Sequence, residues 1–279
     1  MKAFLRIITE LNIWVAFSVT SLTAISFRDL NRSTHLEYLI LLFFGTIAMY
    51  NFQRLIRMHV MVQEVYHLRA RWYKKLYKWN LFSLVFCFLP LLYLSWRIDL
   101  LDYWALGIAA IISLLYPLPV YKFNGKWLRL RDIPFLKIAM VSLVWSIVTF
   151  IIPRQLNLDH FSTTSLIQFI ERFVFIFAIT IPFDIRDVRY DKQATLPKIL
   201  GVKKAKDLSL LLWSVFLVLF LWNHSLSEQT IAYSFVIIPV FIYGLFLLKN
   251  ASPKRDPLYY SFWIESIPIL QFLLYLFIA

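Results

Sequence analysis

Residues 181–197 read IPFDIRDVRYDKQATLP, and the eight residues before Ile181 read FVFIFAIT. Three aspartates, Asp184, Asp187 and Asp191, therefore close an apolar run, in a chain with 16 acidic residues, 29 basic ones and a net charge of +13. The run is near the ~20 apolar residues that a helix needs to cross a bilayer core. Continued as a helix at about 100° per residue, it brings the three carboxylates within an arc of about 60°. Arg186 and Arg189 then fall on the opposite side. Like charges on one face repel unless a cation sits among them. Either basic residues of neighbouring loops or a hard divalent cation with a preference for carboxylate oxygen answers that need.

The surrounding sequence decides the class. The 279 residues are 60% hydrophobic, 18% aromatic and only 16% charged, against about half apolar and a quarter charged in soluble domains. Nine apolar segments are predicted, at roughly 11–27, 36–53, 79–96, 101–118, 134–152, 164–183, 207–222, 230–248 and 258–278. Their length favours helix, because backbone in lipid must satisfy its own hydrogen bonds. The alternation of an outer-membrane barrel is absent. The expected fold is all-α: a polytopic membrane protein with nine transmembrane helices around a central cavity, in one transmembrane domain over 1–279.

Most basic residues fall in the even-numbered connections, expected as loops at about 54–78, 119–133, 184–206 and 249–257. The positive-inside rule makes these loops cytoplasmic, with the N-terminus inside and the C-terminus outside. The expected location is a cell (inner) membrane. The positive charge is then matched to anionic lipid headgroups, and no nucleic-acid partner is implied. Cys87 is the only cysteine, which excludes internal disulfides and cysteine metal sites. It reads as a small buried hydrophobe. Pro182, one turn before Asp184, removes an N–H and loosens that turn. Its freed carbonyl must face protein or a wet cavity. Lys137 and Arg172 are rare charges within apolar segments; Arg172, beside Glu171, reads as a polar packing residue.

The string D184-I-R-D187-V-R-Y-D191, followed by Thr195-Leu196-Pro197 and Leu200-Gly201, resembles the second aspartate motif of the UbiA superfamily of membrane prenyltransferases. The stretches around Tyr116–Lys122 and Leu130–Lys137 resemble that family's loop between segments 4 and 5. The resemblance implies Mg²⁺ held by aspartate motifs, a prenyl diphosphate substrate and transfer of the prenyl group to a membrane-associated acceptor. Carried over residue by residue, it assigns the metal to Asp184, Asp187 and Asp191. It assigns the diphosphate to Asn51, Arg54, Arg57, Lys122 and Lys137. The family's first motif, N-D-x-x-D-x-x-x-D, falls on Asn51–His59. Here Phe52, Leu55 and His59 stand at the aspartate positions, and no acid lies between Glu37 and Glu64.

Three readings follow. The chain is a Mg²⁺-dependent prenyltransferase with an altered site; or it keeps the fold without transfer, binding an isoprenoid or other lipid or serving as a subunit of a membrane complex; or it is an ion-coupled transporter whose buried acids carry the coupling.

Overall fold

The computed structural model describes residues 2–30, 34–60, 75–97, 104–123, 126–189, 194–225 and 230–277. A short helix α1 (Lys2–Glu10) precedes α2 (Ile13–Asp29), α3 (Leu36–Val60), α4 (Tyr77–Arg97) and α5 (Trp104–Leu115). A β-hairpin follows, β1 (Pro119–Phe123) paired antiparallel with β2 (Lys126–Arg129). Helix α6 runs over Leu136–Leu156, with a π-helical stretch at Ile147–Ile151. Then come α7 (Thr163–Asp187), α8 (Leu196–Leu200), α9 (Val202–Ser225) and α10 (Thr230–Lys249). A π-helical Tyr259–Ile264 leads into α11 (Ile267–Leu276).

Among the described residues, each of the nine predicted segments overlaps helix. Among the described residues, five helices are long and apolar enough to cross a membrane, and the bent pair α1–α2 makes a sixth. Helix α5 and residues Phe235–Lys249 of α10 are apolar but shorter. Helices run past the expected loop edges: α3 continues to Val60 and α7 to Asp187, while α8 occupies part of the third basic loop. The chain is an integral membrane protein of all-helical class, and the hairpin is a local exception within one basic loop.

Helix α2 packs on α3 and, at the other end of the chain, on α11. Between them the order of contact runs through α3 with α4, α6 with α7, α7 with α9, α9 with α10 and α10 with α11. The π-helical stretch before α11 is fastened to α2 by Trp14, which stacks on Phe262 at 4.5 Å and donates its indole N–H to the Phe262 carbonyl at 2.9 Å. Two apolar clusters result. One gathers Phe175, Trp213, Phe216 and Phe220 with α10 and α11. The other gathers Val19, Tyr38, Leu42, Ala109 and Val148 from α2, α3, α5 and α6. Cys87 is buried, as expected.

Proline in α7 has its predicted consequence. Pro182 cannot donate to the carbonyl of Ala178, four residues earlier. The Ser209 hydroxyl of α9 donates to that carbonyl instead, at 2.7 Å. The freed oxygen faces protein, not a wet cavity. Removing a buried partner leaves a polar atom unsatisfied at a cost of about 1–3 kcal/mol. Ser209→Ala is therefore expected to lower the thermal midpoint by several degrees, read by tryptophan fluorescence in detergent. An unchanged midpoint contradicts this account of the turn that carries Asp184.

Candidate functional site

Helix α7 starts with Ser162, whose hydroxyl accepts from the Ser165 N–H at 3.2 Å. Six turns later, past Pro182, it delivers Asp184 and Asp187 at its far end. Asp184 is almost fully buried and forms an ion pair with Lys137 of α6. Lys137 is thus drawn inward to a carboxylate rather than extended to solvent. It is positioned by a tight entry into α6, where Phe135 adopts φ 63°, a conformation that bulky residues rarely hold. Just upstream, Arg129 grips Asp132 through two hydrogen bonds of 3.0 and 2.9 Å.

Asp187 accepts two hydrogen bonds from Arg186, at 2.7 and 2.8 Å. This corrects the expectation that the two signs are sorted to opposite sides of the helix. A wheel angle locates Cβ, whereas the long arginine side chain carries its guanidinium back to the neighbouring residue. The Arg186 head group also lies over the rings of Phe183 (5.2 Å) and Tyr260 (5.7 Å), an arrangement that favours a buried cation. Glu10 and Glu265 lie within electrostatic reach of it. Asp191, the third predicted ligand, lies outside the described residues.

The end of α3 forms the second polar group. Asn51 is fully buried; its side-chain oxygen accepts from Asn12 at 2.6 Å and its amide donates to Ser83 at 2.8 Å. Arg54 donates to the Glu10 carbonyl at 2.6 Å, the Glu10 carboxylate at 3.0 Å and the Asn12 side chain at 3.0 Å. Residues expected to hold diphosphate therefore fasten α3 to the junction between α1 and α2. Lys122 stands exposed on β1. Arg57 lies on the helical backbone of α3, and its side chain is outside the description. Among the described residues, no group of three or more His, Cys, Asp and Glu side chains is placed to hold a metal.

Glu10 escaped the sequence reading. The available signal was an acid next to Asn12, immediately before an apolar segment, in a chain poor in acids. Its partner Arg54 is 44 residues away, so no local pattern announces the pair.

Below these polar groups lies an apolar cavity of about 210 Å³. Its walls come from α2, α3, α5 and α6, including Val19, Leu42, Gln53, Ala109, Tyr116 and Val144. Met140, Val141, Val144 and Val148 line it from α6 and continue the face that begins at Lys137, by i+3 and i+4 steps. Tyr50 and Gln53 line it from α3, beside Asn51 and Arg54. The cavity's polar end thus sits next to both charged groups, although neither Asp184 nor Asp187 lines it. At the other end, Tyr38 donates its hydroxyl to the Val148 carbonyl at 2.7 Å, satisfying an oxygen within the π-helical stretch. Tyr116 is a cavity wall under Arg131 (5.4 Å). Arg172 donates to the Leu22 carbonyl at 3.0 Å and the Ser26 hydroxyl at 3.2 Å, holding α7 to α2. That is the packing role its sequence context indicated.

No known family profile matches the sequence, and no curated protein does. Two solved structures match over nearly the whole chain. One is a UbiA homologue from Archaeoglobus fulgidus bound to GPP and Mg²⁺, with TM-score 0.68, 13% identity, and coverage of 98% of this chain and 99% of that one. The other is a UbiA homologue from the same organism bound to DMAPP and Mg²⁺, with TM-score 0.64, 13% identity, and coverage of 98% and 96%. The chain has the fold of these UbiA homologues.

Proposed function

We propose that this protein binds a prenyl diphosphate with its head at the basic face and its chain in the apolar cavity, and transfers the prenyl group to a membrane-associated acceptor. One observation carries the reading: buried Asp184 pairs with Lys137 one helical turn before Met140 and Val141 of the apolar cavity wall, in a fold shared with proteins solved with such ligands.

The donor chemistry supports Mg²⁺ on the α7 side only. Asp184 and Asp187 offer hard oxygen donors one turn apart, and Mg²⁺ commonly takes one or two carboxylates, with substrate phosphates and water completing its shell. Asp184, Asp187 and, from outside the described residues, Asp191 would hold it. When bound, the ion supplies Lewis-acid stabilisation of charge on the departing diphosphate. The α3 side offers Phe52 and Leu55 where a metal would need acids.

The chain's own groups do the rest. Lys137 and Arg186 bring fixed positive charge to the place where the leaving group becomes more negative, and preorganised charge in a dry site acts strongly. Tyr50, Tyr116 and the aliphatic walls exclude water from the allylic carbon and offer ring faces to developing positive charge.

Cavity volume sets the length of chain that is enclosed. About 210 Å³ holds about two isoprene units, on the scale of a cavity of about 150 Å³ that takes benzene. Each buried methylene contributes about 0.8 kcal/mol, so geranyl diphosphate is expected to bind at least tenfold more tightly than dimethylallyl diphosphate. Ala109→Phe, which fills the cavity, is expected to erase that preference without changing the thermal midpoint much. Equal affinity for both chains in the unmodified protein contradicts this assignment of the cavity.

A second reading has its own observation. Both described aspartates are already neutralised, and Arg54 is engaged by Glu10 and Asn12. That favours a lipid-binding protein of the same fold without transfer. Release of inorganic diphosphate from geranylgeranyl diphosphate in proteoliposomes containing extracted membrane lipids separates the two: release supports transfer, and binding without release supports the second reading.

A further inference from the structure

Helix α1 is amphipathic in an inverted sense. At about 100° per residue, Lys2, Arg6, Thr9 and Glu10 fall within about 100° of one another, and Phe4, Leu5, Ile7 and Ile8 share the rest. A surface helix of a soluble protein turns its apolar stripe inward. Here the polar stripe is the docked one. Thr9 and Glu10 are buried, Glu10 pairs with Arg54 at 3.0 Å, and Arg6 pairs with Asp256 at 2.9 Å. Phe4 is left 64% exposed and Ile7 37%. The helix is bent 68° from α2, so it lies nearer the membrane plane than the membrane normal. The bend is made at Asn12, whose left-handed backbone (φ 60°, ψ 17°) is tolerated by asparagine. Both ends of its amide are fixed by Asn51 and Arg54.

We propose that α1 is an interfacial helix whose partner is the lipid leaflet at the basic face: Phe4 and Ile7 insert at the boundary of headgroups and acyl chains, and this contact holds Glu10 against Arg54. Three observations point to lipid as the occupant. Beyond the bend, α2 also carries an exposed aromatic residue, Phe17, at 49%. Lys2, exposed at the start of the helix, adds a positive charge that complements an anionic leaflet. The basic loops lie at the same end of the bundle, as Arg54, Arg186 and Asp256 show by their reach to α1. The consequence is that membrane contact positions a carboxylate in the candidate site. The inference does not depend on the prenyl diphosphate reading and can fail separately from it.

The test uses nitroxide labels at positions 2, 4 and 7, one at a time, in the full chain carrying Cys87→Ser, reconstituted into vesicles of phosphatidylcholine and phosphatidylglycerol. Labels at 4 and 7 are expected to be several-fold more accessible to oxygen than to a water-soluble nickel chelate, and the label at 2 the reverse. Nickel accessibility exceeding oxygen accessibility at both 4 and 7 overturns the proposal. The coupling to Glu10 has its own readout. In the same vesicles, Phe4→Asp is expected to speed hydrogen exchange at the Thr9 and Glu10 amides about tenfold. Unchanged exchange there overturns the claim that lipid contact holds the carboxylate in place.

Discussion

Lys137→Met is expected to lower the thermal midpoint by on the order of 10 °C and to reduce prenyl diphosphate affinity by two orders of magnitude or more. The stability effect follows from burial. Asp184 is 3% exposed in its side chain, and Lys137 is its ion-pair partner. Removing one member of a buried pair costs roughly 3–5 kcal/mol, because the remaining charge is left without compensation. At ~2–4 °C per kcal/mol for chains of about this size, that is a large shift. The affinity effect follows from the lost cation at the head of the cavity. Asp184→Leu, added to Lys137→Met, is expected to restore most of the stability, because two apolar groups replace a pair. Affinity is expected to stay low, which separates the two roles. Addition of Mg²⁺ supplies a third readout: if Asp184 accepts the ion, Mg²⁺ raises the midpoint of Lys137→Met more than that of the unmodified protein. Full affinity in Lys137→Met contradicts placement of the diphosphate at this pair.

The second large effect is in packing. Gly244 of α10 faces Trp213 of α9 so closely that a Cβ atom would sit 2.3 and 2.6 Å from indole ring atoms. Trp213 cannot move aside. It is fully buried, stacks parallel to Phe241 at 6.0 Å, lies 5.4 Å from Phe175 and 5.0 Å from Phe216, and donates to the Phe241 carbonyl at 3.0 Å. Overpacking of a core costs ~1–3 kcal/mol and sometimes more, and here the obstacle is a rigid ring locked on every side. Gly244→Ala is therefore expected to cut the yield of monodisperse protein several-fold and to lower the midpoint by up to about 10 °C, at ~2–4 °C per kcal/mol. Trp213→Leu combined with Gly244→Ala is expected to recover part of the loss. Wild-type yield and stability for Gly244→Ala alone contradict the close approach of α9 and α10.

The bundle was readable from sequence because lipid imposes a simple rule: long apolar stretches become helices and charges gather between them. Among the described residues each stretch overlaps helix for that reason, and five helices, or six with the bent pair α1–α2, are long and apolar enough to cross a membrane. The break at Asn12 was not readable. Asparagine at a left-handed position leaves no periodic signature, and the first segment reads as one uninterrupted run from residue 11. The candidate site was readable on α7, where Asp184 and Asp187 lie one turn apart, and much less so elsewhere. Arg186 pairs with its neighbour because its reach exceeds the distance that a wheel describes. Asn51 and Arg54 sit where a diphosphate-binding motif would lie, yet they hydrogen-bond Asn12, Ser83 and Glu10. Which side chains meet across forty residues is decided by packing of α1, α2 and α3, not by local pattern. The Phe52 and Leu55 positions fit this outcome: with no acids to repel, the end of α3 can close on the α1–α2 junction.

The claim that the acids at the end of α7 form a metal–diphosphate site is tested most directly by binding. Affinity for geranylgeranyl diphosphate would be measured on the purified protein with Mg²⁺ and with EDTA, for the unmodified chain and for Asp187→Asn combined with Asp191→Asn. The account predicts binding that requires Mg²⁺ and is lost in the double variant. Binding that is absent, or that ignores both the metal and the substitutions, would contradict it and would leave the acids a structural role beside Lys137 and Arg186.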